Sequence, residues 1–141
     1  MNVSELMTSR PVTIGHGDTL GQALDIMGQI GCRHLPVIST DGHLVGIISD
    51  GDCRLALQSI NSVETCQDVM VTKQTLISSI MTPAPIITEG EVPAHEAARL
   101  LLTNRISSLP VMRDETLIGI ITTSDLLVAF MSITKQLDTA K

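Results

Sequence analysis

The sequence carries one pattern twice, in the same order, and this internal repetition limits the possible folds more than any other feature. Met7-Thr8 followed by Pro11-Val12 returns as Met81-Thr82 followed by Pro85-Ile86. Leu35-Pro36-Val37 returns as Leu109-Pro110-Val111. Leu44-Val45-Gly46-Ile47-Ile48-Ser49, with Asp52 behind it, returns as Leu117-Ile118-Gly119-Ile120-Ile121-Thr122 with Asp125. Spacing is nearly constant, with one residue lost in the turn around Asp114-Glu115. Residues 1–60 form the first repeat and 76–141 the second, with a C-terminal helix. The intervening 61–75 are mostly polar, have no repeat counterpart and read as a linker.

Each copy has the same internal plan. A short extended segment (Val12–Ile14; Ile86–Thr88) leads through a polar turn into an amphipathic helix. Apolar spacing places the first helix at about Thr19–Ile30, with Leu20, Ala23, Leu24 and Met27 on one face, and the second at about Val92–Asn104. Two short apolar strands follow (His34–Ile38 and Leu44–Ile48; Ser108–Met112 and Leu117–Ile121), joined by hairpin turns at Asp41-Gly42 and Asp114-Glu115. A closing helix covers about Asp50–Ser59 and Thr123–Ile133. The fold class is therefore α+β. One copy alone leaves a Val-, Ile- and Leu-rich sheet face wet. Burying such a residue is worth roughly 1.5–3 kcal/mol, so the two sheets are expected to pack together about a pseudo-twofold axis, leaving two related clefts.

Composition narrows the functional classes. The chain has 141 residues, enough for one compact domain or two small ones sharing a core. The core must be aliphatic, because Phe130 is the only aromatic residue, so a bound base would be sandwiched by aliphatic side chains rather than stacked on rings. A formal charge of −6 repels polyanions and argues against nucleic acid polymers or an anionic membrane as primary partner. No stretch is apolar for long enough to cross a bilayer, and the N-terminus lacks the charged and apolar regions of a signal peptide, so a cytoplasmic location is expected. Cys32, Cys53 and Cys66 are odd in number and widely spaced, which fits thiols in a reducing compartment rather than disulfides or a zinc site. His16, His34, His43 and His95 are scattered without metal-ligand spacing. No nucleophile elbow, Walker A loop or dinucleotide fingerprint is present, so neither a catalytic residue nor a metal ligand is assigned.

The duplicated Met-Thr-x-x-Pro, Leu-Pro-Val and Gly-Ile-Ile-(Ser/Thr)-x-x-Asp motifs resemble the CBS domain family, and specifically its two-repeat Bateman module. The resemblance runs from about Val3 to Ser132, nearly the whole chain, which looks like a stand-alone pair. It implies a β-α-β-β-α unit per repeat, dimerisation into a disc of four repeats, and clefts that hold AMP, ADP, ATP or another adenosyl ligand such as S-adenosylmethionine. No cofactor is required. The implied role is that of a non-catalytic sensor whose ligand shifts a conformation or a partner interaction. The alternative is a ligand-independent scaffold that dimerises and docks on a partner enzyme or transporter. Retention of both (Ser/Thr)-x-x-Asp signatures favours sensing.

Ser49-x-x-Asp52 and Thr122-x-x-Asp125 sit where a strand becomes a helix. Such residues cap helices, and a carboxylate beside a helix N-terminus can also accept hydrogen bonds from ribose hydroxyls while exposed N–H groups favour phosphate. The resemblance assigns them to ribose and phosphate, and assigns the segments near Val12 and Ile86 to the adenine edge. It also implies crossed clefts. One would combine Val12, Arg33 and His34 with Thr122 and Asp125; the other would combine Ile86, Ser107 and Ser108 with Ser49 and Asp52. The first has Arg33 to meet phosphate and neutral Thr123 and Ser124 at its helix start, whereas the second has Asp50 there and no cation matching Arg33. Like-charge repulsion at Asp50 makes the Arg33/Asp125 cleft the expected stronger binder. Arg54 follows Asp52 on the closing helix, within reach of a phosphate, though a solvated position is the expectation.

Overall fold

A computed structural model describes residues 1–58, 70 and 72–140. Ser59, Cys66 and most of the expected linker at 61–75 lie outside the described residues. In chain order the elements are α1 (Val3–Leu6), β1 (Thr8–Ser9), β2 (Ile14–Gly15), α2 (Leu20–Ile30), β3 (His34–Ile38), β4 (Leu44–Ser49) and α3 (Asp50–Gln58). After a 3₁₀ turn at Ile77–Ser79 come β5 (Thr82–Pro83), β6 (Thr88–Glu89), α4 (Ala94–Asn104), β7 (Ser108–Arg113), β8 (Thr116–Thr122) and α5 (Thr123–Thr139). The fold is α+β, with two four-stranded sheets, as the repeats require.

The chain divides into two compact units whose boundaries do not follow the repeats. One unit is Val12–Pro85; the other joins Met1–Pro11 to Ile86–Lys141. In the first, the sheet order is β2-β3-β4-β5, with β2 parallel to β3 and the other pairs antiparallel. In the second, the order is β1-β8-β7-β6, with the same sense at each corresponding pair. Each sheet thus takes its outer strand from the other repeat's Met-Thr segment. Thr8 and Ser9 pair with Ile120 and Gly119, and Thr82 and Pro83 pair with Ile47 and Gly46.

Glycine makes that exchange possible. A Cβ on Gly119 would lie 2.9 Å from the Thr8 carbonyl oxygen, and one on Gly46 would lie 2.9 Å from that of Thr82. The side chains of Met7 and Met81 occupy the rest of the same space. The Gly of Gly-Ile-Ile and the Met-Thr motif are therefore two halves of one contact, where a backbone approaches too closely for any side chain.

Each unit has its own core. Leu20, Met27, Leu35, Val37, Ile48 and Ile77 anchor that of Val12–Pro85. Val3, Ala97, Leu101, Leu109, Val111 and Ile121 form that of the other. Val3 and Ile77 are wholly buried and equivalent: the Val3 N–H donates to the Val92 carbonyl at 2.9 Å, and the Ile77 N–H to the Asp18 carbonyl at 2.8 Å. Both belong to the exchanged segments.

Local chemistry sets the helix limits. Thr19 caps α2 through a reciprocal box with Gln22, and Gly31 closes it in the left-handed conformation at φ 77°. Its buried face carries Leu20, Ala23 and Met27, with Leu24 half-buried beside them. α4 begins at Ala94 rather than Val92, because the residue before Pro93 is pushed out of the helical region. α5 runs six residues past the expected Ile133, to Thr139, as no Gly or Pro follows Thr123 to stop it. The first extended segments are also shorter than expected: only Ile14-Gly15 and Thr88-Glu89 join the ladders, leaving Val12 and Ile86 ahead of them.

Two substitutions test this account. Gly119→Ala or Gly46→Ala forces backbone apart at the exchanged strand and should destabilise the chain by about 1–3 kcal/mol, read as a lower urea midpoint. The Thr88 hydroxyl is buried with no hydrogen-bond partner among the described residues, at the position where the first repeat has Ile14. Thr88→Val should raise stability by about 1 kcal/mol, since an unmet polar group is replaced by an isosteric methyl. A loss there would show that the hydroxyl is satisfied.

Candidate functional site

The two (Ser/Thr)-x-x-Asp signatures form the same reciprocal cap. The Ser49 N–H donates to Asp52 Oδ2 at 2.9 Å and the Asp52 N–H returns a bond to Ser49 Oγ at 3.0 Å. In the second copy the Thr122 N–H donates to Asp125 Oδ2 at 2.9 Å, and the Asp125 N–H to Thr122 Oγ1 at 3.3 Å. The capping role expected of these residues is thus realised. It does not exhaust them, because among the described residues every bond to either carboxylate falls on Oδ2. Each carboxylate keeps Oδ1 for another donor, on a residue that is only half-buried.

The helix starts offer fewer free amides than the sequence alone implies. The Asp50 N–H donates to the Arg33 carbonyl at 2.9 Å, and the Thr123 N–H to the Ser107 carbonyl at 3.0 Å. With the Asp52 and Asp125 amides engaged in the caps, only the middle amide of each first three, Gly51 or Ser124, is left without such a bond. Those same bonds place the residues before Leu-Pro-Val beside their own unit's helix start. His34 is paired across the ladder with Ser49, and Ser108 with Thr122.

The two corners differ in charge. Arg33, His34, Asp50, Asp52 and Arg54 gather in one; Ser107, Ser108, Thr123, Ser124 and Asp125 in the other. Arg54 is exposed, as expected, with its guanidinium 3.6 Å from Asp50 one turn back. Arg33 is exposed, Ser108 buried and His34 half-buried. Burial pushes the His34 pKa below its ordinary 6.5; Asp50 and Asp52 pull the other way, and Arg33 adds to the lowering. Cys53, buried on α3, has its thiol pushed up to about 11 by burial and then by Asp52 and Asp50, so it is a packing residue rather than a nucleophile. Cys32 is half-buried and free.

Val12 and Ile86 are 41% and 39% exposed, so they are not ordinary core residues. Both follow a prolyl residue and a left-handed turn at Arg10 (φ 49°) and Ala84 (φ 45°). Sequence reasoning missed that turn. Neither residue is of a type that favours positive φ, and only their matching place in both repeats signals it. Among the described residues no three His, Cys, Asp or Glu side chains gather as a metal site, and no helix is long and apolar enough to cross a membrane.

Comparison with known proteins agrees with the duplicated architecture. The CBS domain family model matches residues 3–59 and again 77–132. The chain belongs to the CBS domain family. A CBS domain-containing protein of Dictyostelium discoideum is 39% identical over 128 residues, covering 89% of this chain and 88% of the relative. The chain matches only 22% of an inosine-5'-monophosphate dehydrogenase of Methanocaldococcus jannaschii, at 32% identity over 87% of its own length. Among solved structures, CBSX2 in complex with AMP superposes with a TM-score of 0.76 at 29% identity, covering 94% of this chain and 98% of that one. The CBS domain pair of protein MJ0100, in complex with 5'-methylthioadenosine and S-adenosyl-L-methionine, gives 0.80 at 26% identity, covering 94% and 97%.

The burial of His34 has a measurable consequence. The unfolded CBS pair takes up a proton at this residue more readily than the folded one. Its contribution is therefore intact above the unfolded value of 6.5 and is lost as pH falls through the lower folded value. Stability should drop between pH 7.5 and 5, and His34→Gln should flatten part of that drop. An unchanged profile in the variant would show that His34 does not carry it.

Proposed function

We propose that this CBS pair is a non-catalytic regulatory module of the cytoplasm that binds an adenine nucleotide or related adenosyl ligand, of the AMP, ADP, ATP or S-adenosylmethionine type. The observation that carries the reading is the duplicated cap: two half-exposed aspartates at helix starts, each with a carboxylate oxygen unused by the fold. That oxygen accepts from ribose hydroxyls in this reading, a group shared by AMP, 5'-methylthioadenosine and S-adenosyl-L-methionine. Exposed Val12 and Ile86 supply aliphatic cover and backbone groups for the base. Arg33 and His34 serve phosphate, with Ser49, Asp52, Ser107, Thr122 and Asp125 completing the contacts. In the charged corner Arg33 favours a phosphate that Asp50 repels, whereas the corner of Asp125 carries neither group. Ligand alters the output only through its differential affinity for two states of the module.

The module acts as a homodimer. α5 has no buried residue along its 17-residue length although Leu127, Val128, Phe130, Met131 and Leu137 lie exposed on it, which fits a helix that completes its packing against another chain. The same observation supports the scaffold reading, in which docking needs no ligand.

Thermal unfolding against AMP, ADP, ATP, 5'-methylthioadenosine and S-adenosylmethionine separates the two. A ligand of the native state at a hundredfold excess over its Kd adds about 2.7 kcal/mol and raises Tm. The shift should be lost in Asp125→Asn, which retains a capping oxygen but not the charge. Arg33→Ala should weaken binding about tenfold or more, and Asp52→Asn less. No shift across the panel, in folded protein free of co-purified ligand, would leave the scaffold reading; equal losses in all three variants would remove the asymmetry.

A further inference from the structure

An imidazole distinguishes the charged corner from its counterpart. Within the unit Val12–Pro85, His34 stands opposite Ser49 in the β3–β4 ladder, and the Asp50 N–H ties the start of α3 to the Arg33 carbonyl. Among the described residues, the charges acting on the imidazole are Asp50 and Asp52 from α3 and Arg33 from the residue before β3. Ser49 on β4 is engaged through Oγ in the cap with Asp52. Farther along α3, the Cys53 thiol is buried and pushed up to about 11, and Arg54 is exposed beside Asp50. α2, which packs on β3, has Asp25 as its one titratable residue, and that side chain is exposed. His16 meets the far end of β3, where its N–H donates to the Ile38 carbonyl. Two guanidinium groups and two carboxylates balance, so the corner carries no net charge while His34 is neutral. A phosphate monoester would bring about two negative charges at neutral pH. Of the side-chain types gathered here, only an imidazole readily gains a charge in that range to meet it.

We propose that this corner binds a phosphate together with a proton taken up from solvent on His34, so that nucleotide occupancy rises as pH falls through neutrality. A ligand without phosphate recruits no proton there. This linkage rests on the adenosyl-ligand reading above and adds pH to what the module responds to. In the empty chain burial disfavours the charged imidazole, and Arg33 acts in the same direction. A phosphate beside it shifts the balance the other way, adding to the pull of Asp50 and Asp52. Coupling is reciprocal: the factor by which phosphate raises proton affinity is the factor by which the proton raises phosphate affinity. The imidazolium also offsets Asp50, the group that repels phosphate in this corner. Duplication supplies the comparison. Ser107, Ser108 and Thr123 stand where the first copy has Arg33, His34 and Asp50, so the hydroxyl-rich corner has no imidazole to protonate. One module thus holds a proton-linked corner and a corner without that linkage.

The test is titration calorimetry of the full chain with AMP and ATP, which carry phosphate, and with 5'-methylthioadenosine, which does not. Titrations from about pH 6.5 to about pH 8, in pairs of buffers with different heats of ionisation, count the protons taken up. A nucleotide should bind with uptake of about half a proton near pH 7, and about threefold or more tighter at the acid end; one proton allows at most about tenfold per pH unit. 5'-Methylthioadenosine should take up none. His34→Ser carries the residue that the other copy has at this place; it should abolish the uptake and flatten the nucleotide profile. Uptake that persists in His34→Ser would belong to the phosphate and overturn the assignment to His34. Nucleotide binding without uptake in the unmutated chain, or binding of 5'-methylthioadenosine alone, would overturn the proton linkage and keep the adenosyl reading. No binding by any of the three would overturn both.

Discussion

The close approach of a Met-Thr backbone to a strand glycine holds the rest of this structure in place. At Gly46 and Gly119 the neighbouring carbonyl stands where a Cβ would be, and a methionine side chain fills the space around it. The strand so docked always comes from the other repeat's motif. Each compact unit is therefore incomplete without a segment that the sequence places at the head of the other copy. The exchanged segments also deliver Val3 and Ile77, wholly buried, to the two cores. Burial of such side chains is worth roughly 1.5–3 kcal/mol each, a large part of the net stability of a small domain. Neither repeat, taken as a contiguous stretch, contains its own lid.

The same exchange positions the candidate ligand residues. The chain passes from one unit to the other at Pro11-Val12 and again at Pro85-Ile86. Those crossings are the segments left outside the ladders, following left-handed turns at Arg10 and Ala84. Backbone that has left one sheet and not yet joined the next keeps its N–H and C=O groups for other partners. At the other end of each hairpin, the helix cap uses one carboxylate oxygen and leaves one. Structural and functional readings of Asp52 and Asp125 are therefore not rivals: the cap engages one oxygen and leaves the other available to a further donor.

Much of this was legible in the sequence, for a physical reason. The repeat fixed element order, and apolar period located α2 to within a residue, at the limits that Thr19 and Gly31 set in the structure. β3 matched its expected span because Leu35-Pro36-Val37 is buried on successive residues, a pattern that admits little else. What the sequence hid were contacts between distant segments. Nothing local in Met7-Thr8 says that it pairs with Ile120 and Gly119, since a two-residue strand has no periodicity of its own. Nor does local pattern reveal that the first amides of α3 and α5 are already bonded to the Arg33 and Ser107 carbonyls. The late start of α4 was readable from Pro93, whose effect on Val92 outweighs the apolar spacing.

Duplication makes the two halves alike in backbone, and subsequent divergence is visible only where the backbone does not constrain the side chain. Inside, Val3 matches Ile77 and Leu109 matches Leu35, because packing at fixed strand spacing tolerates little change. Outside, Arg33 stands against Ser107, Asp50 against Thr123 and Arg54 against Leu127. Those three differences fall on one corner and the adjoining helix face of each unit. They convert a framework with two equivalent sites and two equivalent surfaces into one with a charged corner beside a charged face and a hydroxyl-rich corner beside an apolar one.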